Sequence, residues 1–250
     1  MSLIVDLFND SLEDSIEKFY KIFNITEELM ILYSATFGNA DEFYSFLKNK
    51  INIKIDKSTT FIFAHLTTIK TELLEKQGLV SLKKQLKDDN YPIAKILKKY
   101  NVKINFDEGI IETNDYEIEL KNYPNDLTKI MPLKEFVIKE KGSICAFLLS
   151  TNIYKYNNKI QKVPEILSKL SIIPDLKDLE SEWDIYYASP KIVYFMCKLF
   201  DVREQERLLQ QYCEIIYKFY KNKEKPSWHY TVCINKEVIE TNQISCIDER

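Results

Sequence analysis

Thr59-Thr60-Phe61-Ile62-Phe63-Ala64-His65-Leu66-Thr67-Thr68 is the stretch whose reading decides the fold. Residues 59–66 carry apolar or threonine side chains on both faces, as a central strand covered on both sides requires. Side chains alternate along an extended chain, so His65 falls on the face of Phe61 and Phe63. The strand ends there in a threonine-rich turn. Thr68 can cap the next helix, which holds Glu72 and Leu73-Leu74, and Gly78 stops it.

Ahead of this strand, residues 4–57 read as helical. Ser11 can cap a helix that carries Leu12, Ile16, Phe19, Tyr20 and Phe23 on one stripe. Thr26 followed by Glu27 and Glu28 opens a second, because carboxylates suit the positive end of the helix dipole. That helix stops near Gly38, and Asp41 opens a third with Phe43, Tyr44, Phe46 and Leu47. Residues 1–57 are thus expected to be a helical N-terminal region or cap, and residues 58–250 an α+β core domain.

Beyond Gly78, Ser81 starts a helix through Leu86, and Pro92 suits the first turn of another that runs to about Tyr100. Residues 102–120 read as short strands around turns, with Asn114-Asp115 supplying turn chemistry. Ser143 to Leu149 is a buried strand, and Pro164 and Pro174 lie in a long, partly helical connection. Trp183 to Tyr187 reads as a strand. Ser189-Pro190 reads as the cap-plus-proline start of a buried helix from Ile192 to Phe200, apolar nearly all round. An amphipathic helix follows over about 203–221, with Leu208, Tyr212, Ile215 and Phe219 on one stripe. Residues 229–234 alternate as a half-buried strand does. The expected fold class is α+β: a helical N-terminal region, then a mixed, largely antiparallel sheet core with helices packed around it.

Composition excludes several functions. Over 250 residues, 45% hydrophobic and 13% aromatic content supplies a full core and argues against disorder. Lys+Arg at 35 against Asp+Glu at 38 gives a net charge of -3, so charge does not indicate nucleic acid or a membrane surface as partner. No apolar run reaches the length of a membrane span, and the start shows no basic-then-apolar leader. Cys145, Cys197, Cys213, Cys233 and Cys246 form no C-x-x-C pair, a pattern of reduced thiols in a cytoplasmic protein. Two histidines, His65 and His229, are too few for a zinc cluster, so no metal is expected. His229 and Cys233 stand four apart on one strand, too far for a direct hydrogen bond at about 3.3 Å per residue. No G-x-S-x-G elbow is present. With four glycines, glycine-loop nucleotide sites are excluded, and any phosphate must be held another way.

The pattern F-I-F-A-H-L-T-T, followed by Ile69 and Lys76-Gln77-Gly78-Leu79, resembles the opening of the ADP-ribosyltransferase fold. In its diphtheria-toxin-like, PARP-like and DarT-like branches the first core strand ends in a histidine, often as H-x-T, before a helix and a G-L pair. The resemblance implies NAD as substrate, held without a glycine loop. His65 would hydrogen-bond the nicotinamide-side ribose, with Thr67 beside it in the H-x-T position. It also implies an aromatic ring on the nicotinamide, from Tyr187 or else Tyr186 in Asp184-Ile185-Tyr186-Tyr187-Ala188-Ser189-Pro190. The family's late-strand glutamate, which stabilises the oxocarbenium-like sugar, has no counterpart at Trp228-His229-Tyr230. Glu224 precedes that strand; Glu237 and Glu240 follow it, and Glu237 is the candidate. The role implied is a bacterial toxin or phage-defence effector with a macromolecular target.

A second function stays open beside this one: a non-enzymatic binding or regulatory module whose helical N-terminal region is the interaction surface. The sequence carries no indicator of oligomeric state.

Overall fold

The computed structural model describes residues 3–50, 56, 58–122, 130–156, 161–186, 189–223, 226 and 228–249. Its first element is a short strand, β1 (Ile4–Val5), inside the segment read as helical. Three helices follow as expected: α1 (Leu12–Phe23), α2 (Glu27–Thr36) and α3 (Ala40–Lys50). Ser11 caps α1 by accepting the Asp14 N–H at 3.0 Å, and Thr26 does the same for α2 toward Leu29. The histidine-bearing strand is β2 (Thr60–Thr67), followed by α4 (Thr71–Gln77) and β3 (Leu79–Val80). Here Lys70, not Thr68, is the residue at the head of α4. The threonine turn uses Thr67 instead, whose Oγ1 accepts the Ile69 N–H at 3.2 Å.

Further along come α5 (Leu82–Gln85), capped by Ser81, and α6 (Pro92–Lys99) with its proline in the first turn. The turn-rich segment forms an antiparallel meander of β4 (Lys103–Asn105), β5 (Ile110–Glu112) and β6 (Glu117–Glu119). Its register aligns Ile104 with Ile111 and Ile111 with Ile118, so the apolar side chains share one face. Next are α7 (Met131–Lys134), which runs into a π-helical stretch Glu135–Glu140, then β7 (Ile144–Leu149) and α8 (Glu165–Leu170).

Two expectations are corrected downstream. The segment from Trp183 is not a strand: α9 (Leu179–Glu182) tightens into a 3-10 turn, Trp183–Ile185. Such turns commonly finish a helix, and the buried Trp183 ring anchors this one. The segment after Ser189-Pro190 is not a helix but strand β8 (Lys191–Lys198). Lys-Ile-Val-Tyr-Phe-Met-Cys-Lys is apolar on both faces, which suits a buried helix and a central strand equally by periodicity. Eight residues rich in branched and aromatic side chains favour the strand, and Pro190 sits just ahead of it, where no ladder hydrogen bond is lost.

The long helix α10 (Gln205–Asn222) and strand β9 (Tyr230–Ile234) follow the expected pattern, with Tyr230, Val232 and Ile234 buried. Like β1 and β3, two later strands have no counterpart in the sequence reading: β10 (Val238–Ile239) and β11 (Ile244–Glu249).

The main sheet has the order β11-β8-β2-β7-β9, with β1 paired in parallel to β2 and β2 paired antiparallel to β7 at Ala64 and Phe147. β2 is therefore an interior strand, as its two-sided apolar pattern requires. A second pairing joins β10 to β3 antiparallel. The class is α+β.

The chain divides into two compact units, and β2, β7 and β8 contribute residues to each. The first unit comprises Met1–His65, Ala146–Ile153 and Tyr194–Ile234. Its core gathers Phe19, Phe23, Phe43, Phe61, Phe63, Phe195 and Tyr212, all fully buried. α10 packs on α1, α2, α3 and β9. Tyr212 stands at the centre, with Phe19 and Phe61 each at 5.6 Å in edge-to-face geometry, and its hydroxyl donates to the Ser15 carbonyl at 3.2 Å. Each such aromatic contributes about 1.5–3 kcal/mol by burial.

The second unit comprises Leu66–Cys145, Tyr154–Val193 and Asn235–Arg250. Ile93, Ile96 and Leu97 of α6, Ile111 of β5, Leu167 and Leu170 of α8 and Trp183 belong to one apolar cluster. At its β3–β10 pairing, Gly78 adopts φ 75°, ψ -167°, and a Cβ there would lie 2.1 Å from the Ile239 carbonyl oxygen.

Candidate functional site

Along β2, Phe61, Phe63, Ala64, Leu66 and Thr67 are buried, and His65 keeps partial access. His65 belongs to the first unit; Thr67, Tyr186 and Glu237 belong to the second. The Thr67 side chain is buried, and its Oγ1 is engaged by the Ile69 N–H within its own turn. Tyr186 closes the 3-10 turn by donating its N–H to Trp183 at 2.8 Å, with its ring 6.2 Å from the Trp183 ring. It is therefore on a turn leading toward strand β8, and not at the end of a strand before a helix.

Tyr187 and Glu224 lie outside the described residues. Glu237 is exposed between β9 and β10, and its backbone carbonyl accepts the Ser81 N–H at 2.8 Å. That bond fixes the turn without fixing the carboxylate. Glu240 is also exposed and opens the 3-10 turn Thr241–Gln243 as a capping box with Gln243.

Two polar constellations in the first unit were not visible in the sequence. Ser150, one residue past β7, lies with Oγ 2.6 Å from Nδ1 of His229, one residue before β9. The Phe147 ring meets the imidazole edge-on at 6.2 Å. These partners are 79 residues apart, so no local spacing announces them. Beside them in the chain, Lys218 of α10 contacts Glu214 at 2.5 Å and the Tyr230 hydroxyl at 3.2 Å, and its ammonium sits 5.6 Å from the Trp228 ring centre. Burial works against the Lys218 charge, yet the hydrogen bonds to Glu214 and Tyr230 outweigh it and hold its pKa above the usual lysine value. Burial in turn raises the Tyr230 phenol, against the opposing pull of Lys218.

The second unit carries a groove of about 550 Å³ lined by Lys83, Lys87, Lys98 and Lys103 together with Asp89, Asp107 and Glu112. Lys83 pairs with Asp107 at 2.9 Å, Lys98 with Asp89 at 2.6 Å and Lys103 with Glu112 at 3.5 Å. A phosphate entering this groove would compete with carboxylates already in place, so the lysines do not make it a phosphate cradle.

Among the described residues no group of three or more His, Cys, Asp or Glu is placed to hold a metal ion, and no helix is long and apolar enough to cross a membrane. The five cysteines are free thiols, with Cys197 and Cys213 buried. No protein-family model, curated protein or solved structure matches the chain.

Proposed function

We propose that the chain binds NAD in the manner of the ADP-ribosyltransferase fold. In this reading His65 meets the nicotinamide-side ribose, Thr67 shapes the turn beside it, and Tyr187, or else Tyr186, supplies the ring for nicotinamide. Glu237 is the carboxylate for the developing sugar cation. The setting is a bacterial cytoplasmic effector of toxin or phage-defence type that acts on a macromolecular target. The observation that carries the reading is His65 itself. It is a half-buried imidazole near the end of an interior strand whose neighbours are closed off. A ring with partial access can donate to a ligand from one nitrogen while the protein holds the other. Stabilising an oxocarbenium-like ribose takes a fixed, desolvated carboxylate, and Glu237 is exposed in a turn. The proposal is therefore NAD binding, with NAD cleavage measured alongside.

Thermal shift tests it. NAD at about 100 times its Kd adds about 2.7 kcal/mol to the stability of a folded protein. The expected result is a rise in melting temperature with NAD that His65→Ala abolishes while keeping its own unliganded melting curve cooperative. No rise with millimolar NAD or nicotinamide, together with no nicotinamide release, refutes the reading.

A binding module is the second reading, favoured by one observation. Ile31 and Leu32 stand adjacent on α2, 50% and 57% exposed. Deleting residues 1–57 is a poor test of it, because Phe19, Phe23 and Phe43 pack in the core around Tyr212. Ile31→Asp with Leu32→Asp leaves that core intact. Loss of a co-purifying partner in this variant, with NAD inert, favours the module; an unchanged partner set removes it.

A further inference from the structure

We propose that Ser150 and His229 form a nucleophile–base pair for acyl transfer, separate from the NAD reading and not resting on it. The geometry is the starting point. An Oγ–Nδ1 distance of 2.6 Å is within the reach that a serine and its general base require. Base catalysis by His229 requires the neutral tautomer with its proton on Nε2, in which the Ser150 hydroxyl donates to Nδ1. The two residues sit at element ends: Ser150 where β7 stops, His229 where β9 begins. β7 and β9 are neighbours in the sheet, so the two partners, each one residue outside its strand, are anchored by rigid elements on the side where they meet.

The pair is distinct from His65. β2 and β7 run antiparallel with Ala64 opposite Phe147, so each step from Phe147 toward Ser150 leads back toward the start of β2 and away from His65. Its surroundings suggest the substrate. Ser150 is recessed at 8% exposure whereas His229 is exposed, so a ligand reaches the hydroxyl along the imidazole. Phe147, itself buried, packs against the imidazole and gives the pair an apolar neighbour. A recessed hydroxyl beside an apolar ring fits a small, uncharged ester.

The chemistry balances without a cofactor. Ser150 Oγ attacks the ester carbonyl carbon as its proton passes to His229 Nδ1. The carbon–alkoxide bond then breaks, and the leaving alcohol takes that proton. Water attacks the acyl carbon, gives a proton to the imidazole and releases the acid, and the proton returns to Ser150. The backbone N–H of Thr151, next after the nucleophile, is the donor nearest in the chain to the oxyanion that attack creates.

A fluorophosphonate probe tests this on the full chain. The expected result is one adduct per folded molecule, mapped by mass spectrometry to Ser150, and labelling slowed about 100-fold or more in His229→Gln. Ser150→Ala should lose the adduct and any turnover of p-nitrophenyl acetate. If that variant fails to fold, wild type and His229→Gln still decide. A hydrogen bond that only satisfies a recessed hydroxyl gives no Ser150 adduct in folded wild type, or a labelling rate that His229→Gln leaves unchanged; either outcome overturns the proposal. NAD thermal shift is read on a different residue, so the two proposals stand or fall separately.

Discussion

Gly78→Ala is the sharpest perturbation available in the second unit. Gly78 occupies φ 75°, ψ -167°, a region that side chains with a Cβ essentially do not enter. Holding alanine there costs about 1–3 kcal/mol. The new methyl would also lie 2.1 Å from the Ile239 carbonyl oxygen, a backbone atom that cannot rotate aside. Relief requires β3 and β10 to part, at the pairs Leu79 with Ile239 and Val80 with Val238, for a further cost of about 1–3 kcal/mol of the kind seen on overpacking. The sum, about 2–6 kcal/mol, corresponds at about 2–4 °C per kcal/mol to a fall in melting temperature of at least about 4 °C for a chain of this length. Tryptophan fluorescence suits the assay. Of the two tryptophans, Trp183 is 3% exposed in the core of this same unit, and Trp228 is already in solvent. Gly38→Ala is the matched control, since a Cβ there meets only the Glu42 carboxylate at 4.0 Å, and it should stay within about 0.5 kcal/mol of wild type. A Gly78→Ala loss below about 1 kcal/mol refutes the reasoning.

Three further outcomes are expected. Tyr212→Phe removes one buried hydrogen bond to Ser15 and should cost about 1 kcal/mol in urea denaturation, whereas Tyr212→Ala empties the centre of the aromatic core and should cost about 3–5 kcal/mol. Burial raises the phenols of Tyr20 and Tyr44 from 10.0 to about 12 and also raises the Tyr212 phenol and the Cys213 thiol. The folded chain thus holds these protons to higher pH than the unfolded chain. Their stabilisation is full below the ordinary thiol and phenol values and is lost as pH rises from about 9 toward 12; melting curves across that window should fall steadily, and a flat profile contradicts the burial. Lys191, 3% exposed at the head of β8, faces Glu249 at 3.7 Å, and Glu249 also accepts from Thr71. Glu249→Gln should lower the melting temperature by leaving a buried ammonium without its counter-charge. Lys191→Met should be better tolerated, and the reverse order counts against the pairing.

Local chemistry was legible wherever one short segment decided the outcome. Ser11, Thr26 and Ser81 cap the helices they were assigned, Pro92 sits in a first turn, and the 102–120 meander follows from apolar alternation and turn residues. β2 was legible as an interior strand because both its faces are apolar. The same property defeated the reading of residues 191–198. A stretch buried on every side has no periodicity left to tell a helix from a strand, and only its neighbours in the sheet settle the matter. β10 and β11 were missed for a related reason. Val238–Ile239 is too short to show a period, and β11 lies at the sheet edge, where none of its residues is fully buried.

For function the division is sharper. The sequence by itself determined residue types: a histidine ending an apolar strand, too few glycines for a nucleotide loop, too few histidines for zinc, near-balanced charge. It nominated Glu237 by its place after a strand, and only the tertiary structure showed that side chain exposed. Ser150 and His229 lie 79 residues apart, and neither has a neighbour within a helical turn or a strand repeat that marks it. Their encounter arises from β7 and β9 lying side by side, a pairing chosen by how the whole chain buries its apolar surface. Sequence spacing reports only contacts within one element; a site assembled from the ends of two strands exists only once the sheet has formed.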